Sequence, residues 1–206
     1  MSGTALIVFA KAPWPGQVKT RLVPALGEAG AAALAARLLQ RAVQAAAGAA
    51  LGPLELCVAP DGAHPLLQAL AATHGAALQP QGDGDLGARM HRALVRALQR
   101  HGRALLFGTD VPALDAAVLT AAAQALDTHD AVFVPALDGG YALVGLKAPQ
   151  PALFEAMTWS VPSVMDQTRA RARAAGLRWA ELPALADIDE PSDLRHLPPG
   201  WRAEAP

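Results

Sequence analysis

Lys11, Lys19 and Arg21 crowd into one short stretch near the N-terminus, just after the apolar run Ala5 to Ala10. That run reads as a strand, and it opens into a loop shaped by Pro13, Pro15 and Gly16. A lysine offers a compact point charge and an arginine a planar fork, and both suit phosphate oxygens. Gly16 lets backbone N–H groups approach a ligand closely. Ligands of open α/β sheets bind beyond the carboxyl ends of the strands, which is where this loop would lie. The stretch therefore reads as a phosphate seat, the plainer alternative being a solvated loop with stray cations. It is neither a Walker A loop nor a Gly-x-Gly-x-x-Gly dinucleotide fingerprint.

Acidic residues recur where later strands should end. Asp110, in Gly108-Thr-Asp-Val-Pro112, follows the apolar run Ala104 to Phe107. A carboxylate there suits a hard cation, although an N-cap or Asx turn explains it equally well. In Asp187-Ile-Asp189 an extended backbone would turn both carboxylates to one face and Ile188 to the core. Such a pair attracts a cation; turn and helix-cap chemistry ahead of Ser192 to Leu197 is the alternative. Asp138-Gly139-Gly140-Tyr141 is a turn whose glycines leave room for a substrate, or merely a tight turn. Gly82, Gly87 and Arg89 fall in a glycine-rich helix entry that suits recognition of a base or sugar by backbone groups, or simple flexibility. Trp159 and Ser160 are candidates to line an acceptor pocket. Together these features suggest a nucleotide or sugar-nucleotide site with a divalent metal between phosphates and carboxylates.

Alternating strands and helices would have to carry these residues. Strands are expected at Ala5 to Ala10, Leu54 to Ala59, Ala77 to Gln79, Ala104 to Phe107, Ala131 to Pro135, Tyr141 to Leu146 and Leu177 to Leu182. Helices are expected at Glu28 to Ala50, His64 to His74, Leu86 to His101, Asp115 to Leu126 and Ser163 to Ala175, with a short one near the C-terminus. This alternation predicts a largely parallel sheet covered on both faces. The short Asp138 to Tyr141 turn makes one pair antiparallel and the sheet mixed. No linker divides the chain, so residues 1–198 read as one domain and 199–206 as a loose tail.

A chain of 206 residues is long enough for a full core, and a net charge of -1 argues against nonspecific nucleic-acid binding. The single cysteine, Cys57, permits no intrachain disulfide and no cysteine-based zinc site, and its apolar setting marks a buried strand thiol. The six histidines form no His-x-x-x-His pair, and no Gly-x-Ser-x-Gly elbow is present. No signal-type leader and no uninterrupted apolar segment of membrane-spanning length is read, so a cytoplasmic location without a membrane partner is the expectation.

Taken in order, these segments resemble the GT-A-like nucleotide-diphospho-sugar transferase superfamily. The nearest resemblance is to short bacterial proteins described as glycosyltransferases, some linked to arsenosugar biosynthesis. It rests on the stretch from Phe9 to Leu22, then Gly108 to Pro112, Asp138 to Tyr141, Thr158 to Ser160 and Asp187 to Asp189. The chain is more distantly similar to phospholactate and molybdenum-cofactor guanylyltransferases. Glu190 and Val161 depart from it, since threonine is usual at both places.

The resemblance implies a Rossmann-like, GT-A-type three-layer α/β sandwich with a mixed, mostly parallel central sheet. It implies that Lys11, Lys19 and Arg21 hold donor phosphates, that Gly82, Gly87 and Arg89 lie along the nucleotide pocket, and that Asp138 to Tyr141 border the acceptor. Asp110 and Asp189, with Asp187 next in line, would bind Mg2+ or Mn2+. The reaction implied is transfer of a sugar from a nucleotide sugar to a small-molecule acceptor, with Asp138 a candidate to take the acceptor's proton. The alternatives are nucleotidyl transfer from a nucleoside triphosphate to a phosphorylated small molecule, and nucleotide binding without catalysis. Oligomeric state is not legible.

Overall fold

Side chains alternate across the first strand, β1 (Ala5–Lys11), and each face meets its own apolar layer. In the computed structural model, which describes residues 3–201, Leu6, Val8 and Ala10 pack into one core cluster and Ala5 and Ile7 into another. This is the two-residue period of a strand buried on both sides. Six further strands complete one sheet: β2 (Leu54–Ala59), β3 (Ala77–Pro80), β4 (Ala104–Gly108), β5 (Ala131–Pro135), β6 (Tyr141–Leu146) and β7 (Trp179–Glu181). Their spatial order is β3-β2-β1-β4-β6-β5-β7.

Helices α1 (Val23–Ala49), α2 (Pro65–His74) and α4 (Ala116–Ala125) contribute to the first cluster, and α3 (Leu86–His101) and α5 (Val164–Ala174) to the second. The fold is thus the expected α/β sandwich. Only β6 runs antiparallel to its neighbours, β4 on one side and β5 on the other. The β5–β6 hairpin was expected; the insertion of β6 between β4 and β5 was not. Gly145 of β6 makes it possible, because a Cβ there would meet Val132 at 2.6 Å as well as Leu105.

Helix α1 begins earlier than the sequence suggests, at Val23, but Gly27 (φ 69°, ψ 168°) breaks its first turn, so regular helix starts at the expected Glu28. By length and composition α1 could cross a bilayer, contrary to the sequence expectation. Its residues Leu39, Ala42, Val43 and Ala46 are buried in the first core cluster instead.

A third, smaller cluster places the candidate site. Leu22, next to Arg21, and Ile188, between Asp187 and Asp189, are both fully buried in it with Leu38 of α1. The basic and acidic segments therefore share one apolar anchor. Trp201 packs against the same cluster, with the Arg37 guanidinium 4.2 Å above its ring, in the stretch read as a loose tail; 202–206 lie outside the described residues.

Candidate active site

The loop after β1 is held by its own backbone. The Ala12 amide donates to the Ala59 carbonyl at 2.7 Å and Gln17 to Trp14 at 3.1 Å, while Ala12 and Val18 are buried. Lys19 then adopts a left-handed conformation (φ 49°, ψ 39°) and leads into a 3-10 turn, Thr20–Leu22. A non-glycine residue there costs on the order of 1 kcal/mol. The turn sends the Lys19 side chain inward, where only 5% of it is exposed, with Nζ 2.7 Å from Asp110 Oδ1. Nζ is also 3.7 Å from Asp189 Oδ1 and donates to the Ile188 carbonyl. Arg21 stays exposed and reaches Asp189 Oδ2 at 2.8 Å and Glu190 Oε1 at 3.8 Å.

Asp110 follows β4, and the acidic segment reaches it from the far side of the sheet. After β7 the chain continues beside β5, where the Leu185 amide donates to Pro135 O at 3.0 Å, and the Ile188 amide then donates to Asp110 O at 2.9 Å. Asp193 accepts from the Asp189 amide at 3.1 Å and the Glu190 amide at 2.7 Å, fixing the segment's end. On the other side, Arg41 of α1 donates to the Pro112 carbonyl. Arg41 was not singled out from the sequence; Asp193 was read there, with Ser192, as a candidate cap, and it caps the turn in a box with Glu190.

Beside this cluster opens a cavity of about 310 Å³. Its walls are largely apolar and include Leu86, Met90, Leu106, Val111, Tyr141 and Trp159. Asp110, Asp138, Asp187 and Asp189 line it as well, with Ser160 and Gly140. Ser160 is held at φ 61°. Tyr141 and Trp159 meet edge to face, with ring centroids 6.4 Å apart. Burial raises the Tyr141 phenol pKa far above its usual value, so it stays protonated. Asp138 Oδ1 accepts the Gly140 amide at 2.8 Å. Burial, and then the charge of Asp138, push the Asp187 carboxyl up to about 6. A second cavity on the other side of Asp138, Asp187 and Asp189 is bordered by Arg21, Arg195 and His196.

The structure brings together Lys19, Arg21, Asp110 and Asp189, and beside them Asp138, Gly140, Tyr141, Trp159, Ser160 and Asp187. Other candidates stand elsewhere. Lys11, at the end of β1, is exposed and forms no ion pair among the described residues. Gly16 (φ 73°) turns the loop against Glu28, whose Oε2 would lie 3.3 Å from a Cβ. Gly82 (φ 74°) is covered by the Arg92 side chain, which also donates to the Gln81 carbonyl at 2.6 Å. Gly87 is occupied by packing: a Cβ there would lie 2.5 Å from Phe154 O and 2.7 Å from the Trp159 ring. Arg89 donates to the Gly84 carbonyl at 2.7 Å. Gly139 (φ 93°) faces the Pro162 backbone rather than the cavity. None of these six lines the cavity, whose α3 wall is made by Leu86 and Met90 instead.

Among the described residues no group of three or more His, Cys, Asp or Glu side chains is gathered to hold a metal. Asp110 and Asp189 nevertheless converge on one positive charge, the Lys19 ammonium, together with the Ile188 carbonyl. Three oxygens around a single cation form a hard donor set. They fit Mg2+ or Mn2+, which commonly take one or two protein carboxylates and complete their shell with water and phosphate. Asp187 lies outside this convergence and has no basic partner among the described residues.

Residues 33–161 match the family described as "Uncharacterized protein conserved in bacteria (DUF2064)". No curated protein matches the chain. Among solved structures, the chain is similar to a "putative nucleotide-diphospho-sugar transferase" from Desulfovibrio desulfuricans G20. The two share 30% identity and a TM-score of 0.87, over 100% of this chain and 92% of that one. The fold is also similar to that of Rv0371c from Mycobacterium tuberculosis H37Rv, solved in complex with manganese, at 16% identity and TM-score 0.57 over 95% and 97% of the chains. A CMP:2-keto-3-deoxy-manno-octonic acid synthetase complexed with CTP shares 11% identity and a TM-score of 0.58 over 94% and 96%. The chain thus has the α/β fold of nucleotide-sugar transferases and nucleotidyltransferases.

Proposed function

The chain belongs to the DUF2064 family, and from that premise we propose that it is a metal-dependent glycosyltransferase, moving a sugar from a nucleotide sugar to a small-molecule acceptor. One observation carries the reading: Lys19, Arg21, Asp110 and Asp189 meet at the carboxyl edge of β1 and β4, directly beside a cavity able to hold a second molecule. Lys19 and Arg21 bind the donor diphosphate and stabilise the charge that develops there as the bond to the sugar breaks. That is electrostatic stabilisation by groups already in place, in which one donor is commonly worth 10² to 10³ in rate. Asp110 and Asp189 would hold Mg2+ or Mn2+, which when bound supplies further neutralisation of the phosphates. In the transfer an acceptor hydroxyl oxygen forms the new bond to the sugar carbon, and the electron pair of the broken bond leaves with the nucleoside diphosphate. The acceptor's proton passes to a carboxylate at the cavity, for which Asp138 is placed.

The test is a thermal-shift panel of nucleotides and nucleotide sugars with and without Mg2+ or Mn2+, since a ligand of the folded state raises the midpoint. The expected result is a metal-dependent rise with a nucleotide sugar that Asp110→Ala removes, and release of nucleoside diphosphate on turnover. Release of pyrophosphate from a triphosphate would replace sugar transfer by nucleotidyl transfer. Metal-independent binding without turnover would make the chain a binding protein.

A further inference from the structure

The cavity beside the cation cluster has a definite chemical character. No lysine, arginine or histidine lines it, while four carboxylates do: Asp110, Asp138, Asp187 and Asp189. Two of the four are already engaged by Lys19 and Arg21. Among the described residues Asp138 and Asp187 have no cationic side-chain partner, so their charge is not neutralised within the cavity. Two helices begin at the cavity wall, α3 at Leu86 and α5 at Val164, and the first amides of both are taken: the Ala88 amide donates to the Asp85 carboxylate at 2.8 Å, the Val164 amide to the Val161 carbonyl at 3.2 Å and the Met165 amide to the Gly139 carbonyl at 2.8 Å. The apolar part of the lining includes Leu86, Met90, Tyr141 and Trp159. Two rings set edge to face, at 86° to each other, form an apolar corner, and the Tyr141 hydroxyl makes no hydrogen bond among the described residues.

We infer that this cavity is the acceptor subsite and that it takes a molecule with an apolar or aromatic body carrying hydroxyl or ammonium donors, and no phosphate or carboxylate. The inference rests on the transfer reaction proposed above and narrows it. Hydroxyl and ammonium donors satisfy Asp138 and Asp187, and an apolar body covers Tyr141 and Trp159. Against Asp138 and Asp187 an anionic acceptor would meet like charges, which is costly in a partly desolvated pocket. A phosphorylated acceptor, the partner that nucleotidyl transfer would need, is therefore disfavoured by the pocket itself.

Three small probes test this on the intact protein by ligand-observed NMR: tyramine, phenyl β-D-glucoside and phenyl phosphate. Only phenyl phosphate that tyramine displaces is counted, since Lys19 and Arg21 offer anions a separate seat. Tyramine and the glucoside are expected to displace each other, and phenyl phosphate to compete at least about tenfold more weakly. Asp138→Asn with Asp187→Asn should shrink that ratio to less than about threefold. If the double variant does not fold, raising salt from about 0.05 M to about 0.5 M on the native protein should narrow the ratio in the same direction. Equal competition by phenyl phosphate, an unchanged ratio under both manipulations, or no binding of tyramine and the glucoside would overturn the inference. The nucleotide panel is scored separately. If nucleotides fail to bind while this selectivity holds, the transfer reaction falls and the cavity's preference stands; the reverse removes only the acceptor class.

Discussion

The Asp110 carbonyl accepts the Ile188 amide at 2.9 Å. The Ile188 carbonyl in turn accepts the Lys19 ammonium, which also meets the Asp110 carboxylate at 2.7 Å. Three segments distant in sequence are thus closed into one ring of main-chain and side-chain contacts. Ile188 makes the ring possible by burying its side chain beside Leu22 while both its main-chain polar groups face the other two segments.

Replacing Lys19 by methionine should open that ring. The ammonium is 5% exposed, but its partners are half open, at 50% and 41%. The loss should lie between that of a surface pair and that of a fully buried one, about 1–2 kcal/mol. With the ammonium gone, Asp110 loses its ion pair and Asp189 keeps only Arg21, so millimolar Mg2+ should raise the unfolding temperature of Lys19→Met more than that of the native protein. Equal stability of the two proteins, with no difference in their response to Mg2+, would contradict the assigned geometry.

Arg21 separates stability from binding. Its side chain is 61% exposed, so Arg21→Ala should change unfolding free energy by less than about 0.5 kcal/mol. The metal-dependent nucleotide-sugar shift should nevertheless weaken, equivalent to about a tenfold loss of affinity. Chemical denaturation and nucleotide titration of the same variant measure the two effects.

Two glycines of positive φ should respond very differently to a methyl group. Gly176 (φ 67°) has open space around it, so Gly176→Ala should cost about 1 kcal/mol of backbone strain alone. Gly139 (φ 93°) lies against the Pro162 backbone, with the Pro162 Cα 2.7 Å from where a Cβ would stand. Gly139→Ala should cost more than about 3 kcal/mol, because strain and overlap add. Urea midpoints of the two variants give the comparison. The larger loss should also disturb tryptophan fluorescence, since Pro162 follows the Trp159 wall of the cavity.

Cys57 supplies a pH test away from the site. Burial, and then the charge of Glu55, push its thiol from 9.0 up to about 11. A folded-state value above the unfolded one means that the native protein holds its proton longer. The associated stability is therefore complete below pH 9.0 and is lost as pH rises toward about 11. Iodoacetamide at pH 8 should leave native Cys57 unmodified and label it after unfolding. Cys57→Ser should flatten the stability profile between pH 9 and 11, while Cys57 that alkylates readily in the folded state would contradict the burial seen here.

Nearly every strand and helix was legible, because strands buried on both faces read as apolar runs and helices ended at glycines such as Gly75 and Gly102. The convergence of Lys19 and Arg21 with Asp110 and Asp189 was legible as complementary charge at strand ends, but their direct ion pairs were not, since the sequence reading set phosphates and a metal between them. The inward turn of Lys19 was not, because nothing in the residue type announces a left-handed lysine. Gly82 and Gly87 show a physical ambiguity: glycine that admits a ligand and glycine that admits Arg92 or Trp159 look alike in sequence. Leu86 and Met90 were hidden in the ordinary periodicity of α3, where a cavity wall and a core face use the same spacing.

The reversed strand β6 has a bearing on how this architecture can diversify. Since it starts where β4 stops, the turn from Ala136 to Gly140 is delivered to the reactive edge by a hairpin rather than by a crossover helix. Residues added or removed there would reshape the space offered to the proposed acceptor, and would act on Asp138 and, through the Leu137 amide on the Leu185 carbonyl at 3.0 Å, on the strand extension that leads to Asp189. Lys19 and Asp110, on other segments, form the more fixed half of the scaffold.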